Sequence, residues 1–278
     1  MGRLVDRRRM TRLRDGVATE VVDHLAVEEP LTIRVNGVDT ATTMRTPGHD
    51  IELALGWLVG EGVVRQPDDL VGAIACDENT VEVRLSAAIA PPAPRLTMTS
   101  SACGICGSDS ITEVIARRGA QPQPAASGDG MHIAPAVISG LPERLRLAQS
   151  AFDRTGGLHA AGLFTLDGEP VCIREDVGRH NAVDKVVGWA LQHEALPASQ
   201  WLLQVSARAS FELTQKAVMA GLPVLAAVSA PSTLAVDLAR DAGLTLIGFS
   251  RNDSFNCYAG TERITLAEAA APHASLPR

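Results

Sequence analysis

Two cysteines, Cys103 and Cys106, stand in the run S-S-A-C-G-I-C-G-S at residues 100–108. That spacing lets two sulfurs attack one another, share a metal or handle a persulfide. A thiolate is the nucleophile in sulfur transfer, and a free cysteine has a pKa of about 8.5. A helix beginning near Ile111 would aim its N-terminal amides at this segment and favour the thiolate. Gly104 and Gly107 give the backbone the freedom that a carrier visiting two partners requires. Three chemistries stay open. Zinc wants four ligands, and the chain has no second Cys-x-x-Cys. A redox dithiol normally sits between a strand and a helix, whereas a proline-rich linker precedes this one. A persulfide relay fits a nucleophile in a mobile loop. A single Cys-x-x-Cys does not choose among them.

Further candidates lie in the C-terminal half. Three apolar segments end in serine, at Ser206, Ser229 and Ser250; Arg208 follows the first, Pro231-Ser232 the second and Arg251-Asn252-Asp253-Ser254 the third. In open parallel sheets, ligands bind beyond the carboxyl ends of strands, where helix N-termini converge. Serines, amides and an arginine fork there suit a phosphate. Serine helix caps account for two of the three equally well. The run R-E-D-V-G-R-H-N at 174–181 carries five ionisable residues between a strand and a helix. Solvated loop charge is the plain account. The sharper one gives Arg179 or His180 a contact to a second phosphate or a pterin edge, with Asp176 orienting His180 and Asn181 capping the helix. His159 reads as an ordinary half-buried histidine. Cys172 reads as a small hydrophobe, Cys76 adjoins a turn, and Cys257 is expected to be buried.

The elements that must position these residues follow from pattern. Asn36-Gly37 joins two strands, 31–35 and 38–44, in a tight hairpin. Residues 50–64 read as a helix and 73–85 as a second hairpin turning near 77–79. A short helix follows the cysteines, started by the capping-box pair Ser110 and Glu113 and ending near Gly119. Residues 120–131 are expected to be mobile. A helix spans 135–154, with Gly140-Leu-Pro142 as the place for a break. A hairpin turning at Asp167-Gly168 precedes alternating segments: strands 201–206, 223–229 and 244–250, helices 211–220 and 233–242. Continuously apolar strands separated by helices predict a parallel sheet covered on both faces.

At 278 residues the chain can build one large core or two modest ones. Its net charge of -7 argues against a general nucleic-acid binder. The six arginines among the first fourteen residues, without an apolar run, read as a disordered basic arm and not as a secretory signal. Five cysteines with no regular framework point to the reducing cytoplasm, and no apolar run is long enough to span a membrane. The expected organisation is a basic arm (1–20), an N-terminal α+β part (21–95), the cysteine loop with its short helix and linker (96–131), an α/β cofactor-binding domain (132–265) and a tail (266–278).

The residues together resemble the FdhD/NarQ family of formate dehydrogenase accessory sulfurtransferases. The matching motifs are R-T-P-G-H-D-I-E-L-A-L-G-W at 45–57, C-G-I-C-G at 103–107, T-G-G-L-H-A-A at 155–161, R-E-D-V-G-R-H-N-A-V-D-K at 174–185, R-A-S-F-E-L-T-Q-K at 208–216 and V-S-A-P-S-T-L-A-V at 228–236. The resemblance implies an α/β fold: a cytidine-deaminase-like three-layer α/β/α domain, lacking that class's zinc signature, with a smaller α+β N-terminal part. It implies that Cys103 accepts persulfide sulfur from a cysteine desulfurase, with Cys106 as its pair, for the molybdenum bis-molybdopterin guanine dinucleotide cofactor of formate dehydrogenase or a related molybdoenzyme. It places the cofactor-binding stretch at Ser250, Arg251, Asn252, Asp253, Ser254 and Phe255. It further implies a homodimer that accepts a guanine nucleotide in place of the cofactor, with no structural metal. Ala207, where relatives carry glycine or serine, and Ser108, where relatives often carry a basic residue, depart from the pattern. A non-catalytic molybdopterin cofactor chaperone is the alternative, and it predicts that Cys103 is dispensable.

Overall fold

The computed structural model describes residues 4–94, 111–118 and 131–265. The chain opens with a hairpin of β1 (Val5–Arg14) and β2 (Val17–Ala26), turning at Asp15-Gly16 with both residues at positive φ. This corrects the expected disordered arm. An Asp-Gly turn of this kind matches the twist of two strands, and the ladder it closes is indifferent to the high arginine content.

A four-stranded sheet follows, built from β3 (Glu29–Val35), β4 (Val38–Arg45), β5 (Leu70–Asp77) and β6 (Thr80–Leu85) in the order β4-β3-β6-β5. Asn36 and Gly37 take the positive φ expected of the first turn. Between β4 and β5 runs α1 (Asp50–Gly60), shorter than periodicity predicted because Gly62, at φ 74°, turns the chain away. The next described elements are α2 (Ile111–Arg118), α3 (Pro135–Leu147) and α4 (Ser150–Thr155). The break between the last two falls at 148–149 and not at Pro142. Pro142 has no N–H to give Ile138, four residues earlier; the Ser250 hydroxyl donates to that carbonyl instead, at 3.2 Å.

The remaining chain forms β7 (His159–Phe164), β8 (Pro170–Asp176), α5 (Arg179–Gln192), β9 (Leu202–Val205), α6 (Phe211–Met219), β10 (Val224–Ala227), α7 (Thr233–Ala242), β11 (Thr245–Arg251) and β12 (Ser254–Ala259). Their six strands make one sheet, β12-β11-β10-β9-β7-β8, in which β9, β10 and β11 are parallel. On one face, Ile138, Leu141 and Leu145 of α3 meet Leu202, Val224, Ala226 and Ile247. On the other, Leu203, Val205, Leu225, Ala227 and Leu246 meet the residues of α5, α6 and α7. The protein is therefore α/β, in three layers, and burial on both faces explains the unbroken apolar runs of its parallel strands.

The small sheet shares this second core, which runs from Leu31 to Ala259. The join is α1 against α5, whose backbones touch at Gly56 and Gly188. Buried charge reinforces it. Arg45, fully buried, donates to Asp50, Glu29, the Glu78 carbonyl and Asn79, so the 45–57 motif opens on a structural hub. Glu52 of α1 takes two hydrogen bonds from Arg174 of β8, at 2.6 and 2.8 Å. Burial pushes the Glu52 carboxyl up, but Arg174 and His49 outweigh it and hold it at about 2, against an ordinary 4.5. A depressed carboxylate stabilises the fold above its unfolded pKa and loses that contribution as pH falls through the folded one. Glu52→Gln is therefore expected to lower the urea midpoint at neutral pH and to flatten its decline between pH 4.5 and 2. Parallel acid limbs in the two proteins would contradict this. Among the described residues, no helix is long and apolar enough to cross a membrane.

Candidate functional site

Because β7 runs against β9, the start of β7 and the end of β8 lie beside the carboxyl ends of the parallel strands. The Ser206 backbone N–H donates to the Ala160 carbonyl, and the Ala160 N–H donates to the Ser206 hydroxyl. The Ser232 N–H donates to the Ala209 carbonyl, and Phe249 donates to that of Ser229. Four separated motifs, at 155–161, 174–185, 208–216 and 228–236, thus meet at one end of the sheet.

Asp176 anchors this end. It is fully buried, sits 2.7 Å from the Lys185 ammonium and accepts from the backbone N–H groups of Thr46 and Gly178 and from the Asn181 amide. With Lys185 donating to the Thr46 carbonyl, the pair ties β8 and α5 to the chain after β4. Asp176 therefore does not orient His180 as expected. Nor is Asn181 the cap: α5 starts at Arg179 after Gly178, and Asn181 is buried in its first turn, donating to the Met44 carbonyl. The serine caps are Ser210 on α6 and Ser232 on α7, which leaves the Ser206 and Ser229 hydroxyls out of that role.

His180 faces Glu212, in the first turn of α6, with Nε2 2.5 Å from a carboxylate oxygen. The two side chains are in close polar contact. Nε2 of His180, the other Glu212 oxygen and Nε of Arg179 are all buried without a hydrogen-bond partner among the described residues. Burial pushes the Arg179 guanidinium down, and the neighbouring Arg208 adds to it. Burial pushes the Glu212 carboxyl up, but His180, Lys216 and Arg179 hold it below its ordinary value. Behind them, Asp184 is raised to about 6 by burial against the opposing pull of Lys216, 2.6 Å away. Arg179 and Arg208 thus bring two guanidinium groups together near Glu212, a composition suited to an anionic, hydrogen-bonding ligand.

A cavity of about 520 Å³ opens next to this cluster, between α3, α4 and the strand ends, lined by Arg146, Gln149, Phe152, His159 and Ser206 among others. His159 is lowered by burial and by the nearby Arg179 and His180, so the neutral imidazole is favoured there. It is half-buried, as expected, and lines the cavity. Glu212 was missed in the sequence, although it lies in the R-A-S-F-E run.

The other expected residues divide. Ser229 and Arg208 are exposed at the strand ends. Ser250 is fully buried with its hydroxyl committed to Ile138, which corrects its expected contact to a ligand. Arg251, Asn252, Asp253 and Ser254 form an exposed turn between β11 and β12, with Asn252 and Asp253 at positive φ, and Phe255 packs half-buried under α3. Cys103, Cys106, the capping Ser110, the expected mobile stretch up to residue 130 and the tail from 266 lie outside the described residues. The helix after the cysteines, α2, packs on α6 and α7, both of which begin at the site. Cys172 is buried, which pushes its thiol up to about 12 and leaves it an inert hydrophobe as expected. Cys257 is half-buried.

The model of the FdhD/NarQ family matches residues 26–265. A protein of Streptomyces coelicolor named sulfur carrier protein FdhD is 52% identical, over 97% of this chain and 99% of its own. One of the same name from Mycobacterium tuberculosis is 46% identical, over 95% and 100%. A crystal structure from Desulfotalea psychrophila, provisionally described as a formate dehydrogenase accessory protein, superposes with a TM-score of 0.74 at 23% identity, covering 95% of this chain and all of that one.

Proposed function

The chain belongs to the FdhD/NarQ family, and on that footing we propose that it is a sulfur carrier for the assembly of a molybdoenzyme. The Cys103 thiolate attacks the terminal sulfur of a cysteine desulfurase persulfide; the sulfur–sulfur bond breaks and the donor thiolate leaves. Release of that sulfur as hydrosulfide needs two electrons. Cys106 supplies them by attacking the Cys103 sulfur, leaving a disulfide. The substrate that receives it is molybdenum bis-molybdopterin guanine dinucleotide, bound by its anionic end at the strand-end site. Holding the substrate remotely from the reacting sulfur makes the transfer intramolecular. Cys103 lies eight positions before Ile111, a reach of at most about 28 Å.

The observation that carries this reading is the group Arg179, His180 and Arg208, with buried polar atoms unsatisfied beside a cavity. Two measurements test it together. Wild-type protein incubated with a desulfurase and cysteine should gain the mass of one reductant-labile sulfur. Calorimetry should show GDP binding, weakened roughly 10- to 100-fold by Arg208→Ala, the usual cost of one charge-assisted contact. A protein that gains no sulfur and ignores GDP is not this carrier.

A further inference from the structure

Among the described residues, the β1–β2 hairpin packs its apolar side chains on the body at its root. Val5, with Ala26, rests on Ala151, Phe152, Leu158 and Val177. Beyond the root the ribbon is largely solvent-exposed on both faces, with Leu13 74% and Val17 62% accessible. A two-stranded hairpin is at best marginally stable in water, and exposed apolar side chains on such a ribbon mark a surface built to be covered.

Its chemistry says what covers it. Directly paired residues share a face, so the register sets Met10 and Val21 among Arg8, Arg12 and Arg14, and Leu13 and Val22 with Arg7 and Arg9. The first 26 residues hold six arginines against four acidic residues, whereas the rest of the chain holds 19 basic against 28 acidic. An acidic body carrying an arginine-rich ribbon disfavours the polyanionic surfaces of nucleic acids and membranes, which the body would repel. It favours a protein face with carboxylates around an apolar centre. The root matters too: Phe152, Leu158 and Val177, on which the ribbon sits, also line the ligand cavity. Whatever grips the ribbon is held at the cavity wall.

We propose that the β1–β2 ribbon is a docking arm for the enzyme that receives the sulfurated cofactor, binding an acidic, apolar-centred surface on it. The inference rests on the sulfur-carrier reading and adds the surface through which the acceptor is held. The test titrates purified, cofactor-free formate dehydrogenase from the same organism against three proteins by biolayer interferometry at low and high salt. These are the wild type, R9E/R12E/R14E and L13S/V17S, in which only exposed side chains change. The wild type should bind, more weakly at high salt, and each variant should lose at least tenfold in affinity. GDP binding and sulfur uptake should remain at wild-type values in both variants, which separates loss of docking from loss of the carrier function. Unchanged affinity in both variants overturns the inference, as does a wild type that does not bind the enzyme. It is equally overturned if the variants bind the enzyme normally but lose self-association or binding to phosphatidylglycerol vesicles or duplex DNA. A wild type that neither binds GDP nor takes up sulfur overturns the carrier reading and the inference with it.

Discussion

After incubation with a cysteine desulfurase and cysteine, the Cys103→Ala chain is expected to keep its unmodified mass while the wild type gains one sulfur. Uptake requires a reactive thiolate, and Cys172 and Cys257 are poorly suited to supply one in place of Cys103. Cys172 is buried, with its thiol pushed up to about 12. Cys257 is half-buried, its sulfur donating to the Ala259 carbonyl. Cys76 is exposed on β5, so peptide mapping must show that the added sulfur is not there. Cys106→Ala should still accept sulfur but release hydrosulfide more slowly, since it removes the resolving thiol and not the accepting one. GDP affinity should be unchanged in both, because the cationic group is contributed by α5 and the segment after β9. Full sulfur uptake by Cys103→Ala would remove the residue from its assigned role.

Gly188→Ala and Gly56→Ala are each expected to destabilise the protein by about 3 kcal/mol or more, as overpacking against backbone does. A Cβ at Gly188 would lie 1.8 Å from the Glu52 carbonyl oxygen, and one at Gly56 1.8 Å from that of Asp184. No rotamer change relieves a clash with a main-chain atom. The two helices must part, and with them the shared core between the small sheet and the central one. Gly140 of α3 is the control. A Cβ there meets nothing within 4 Å, so Gly140→Ala should stabilise by up to about 1 kcal/mol through helix propensity. Urea midpoints measure all three. Equal, small effects at Gly56, Gly188 and Gly140 would show that the α1–α5 contact is not as close as described.

Much of the secondary structure was legible because turns and periodicity are local. The Asn36-Gly37 hairpin, the Asp167-Gly168 hairpin and the alternation from β9 to β11 were read from residues a few positions apart. Reading failed once on a local turn, Asp15-Gly16, that its arginine-rich flanks obscured, and otherwise where a distant partner had intervened. The basic N-terminal segment is a hairpin because its cross-strand register, and not its charge, decides its conformation. The helix of α3 runs through Pro142 because Ser250, 112 residues from Ile138, fills the missing hydrogen bond. The same bond commits the Ser250 hydroxyl to α3 and away from the strand-end cavity. Asn181 looked like a cap and is instead a buried tie to Met44, 137 residues away.

From the sequence came the pair Cys103 and Cys106 as the candidate reacting group, its role implied by family resemblance, and the strand–helix order that brings Arg179, His180 and Arg208 to one end of a parallel sheet. The fold settled which side chains face that end together: His180 with Glu212 and not Asp176, His159 within the cavity wall, and Ser250 turned inward under α3. The division has one physical cause. Backbone conformation responds to near neighbours, whereas the partner of a buried charge or hydroxyl is set by which elements pack together, and packing joins residues far apart in the chain.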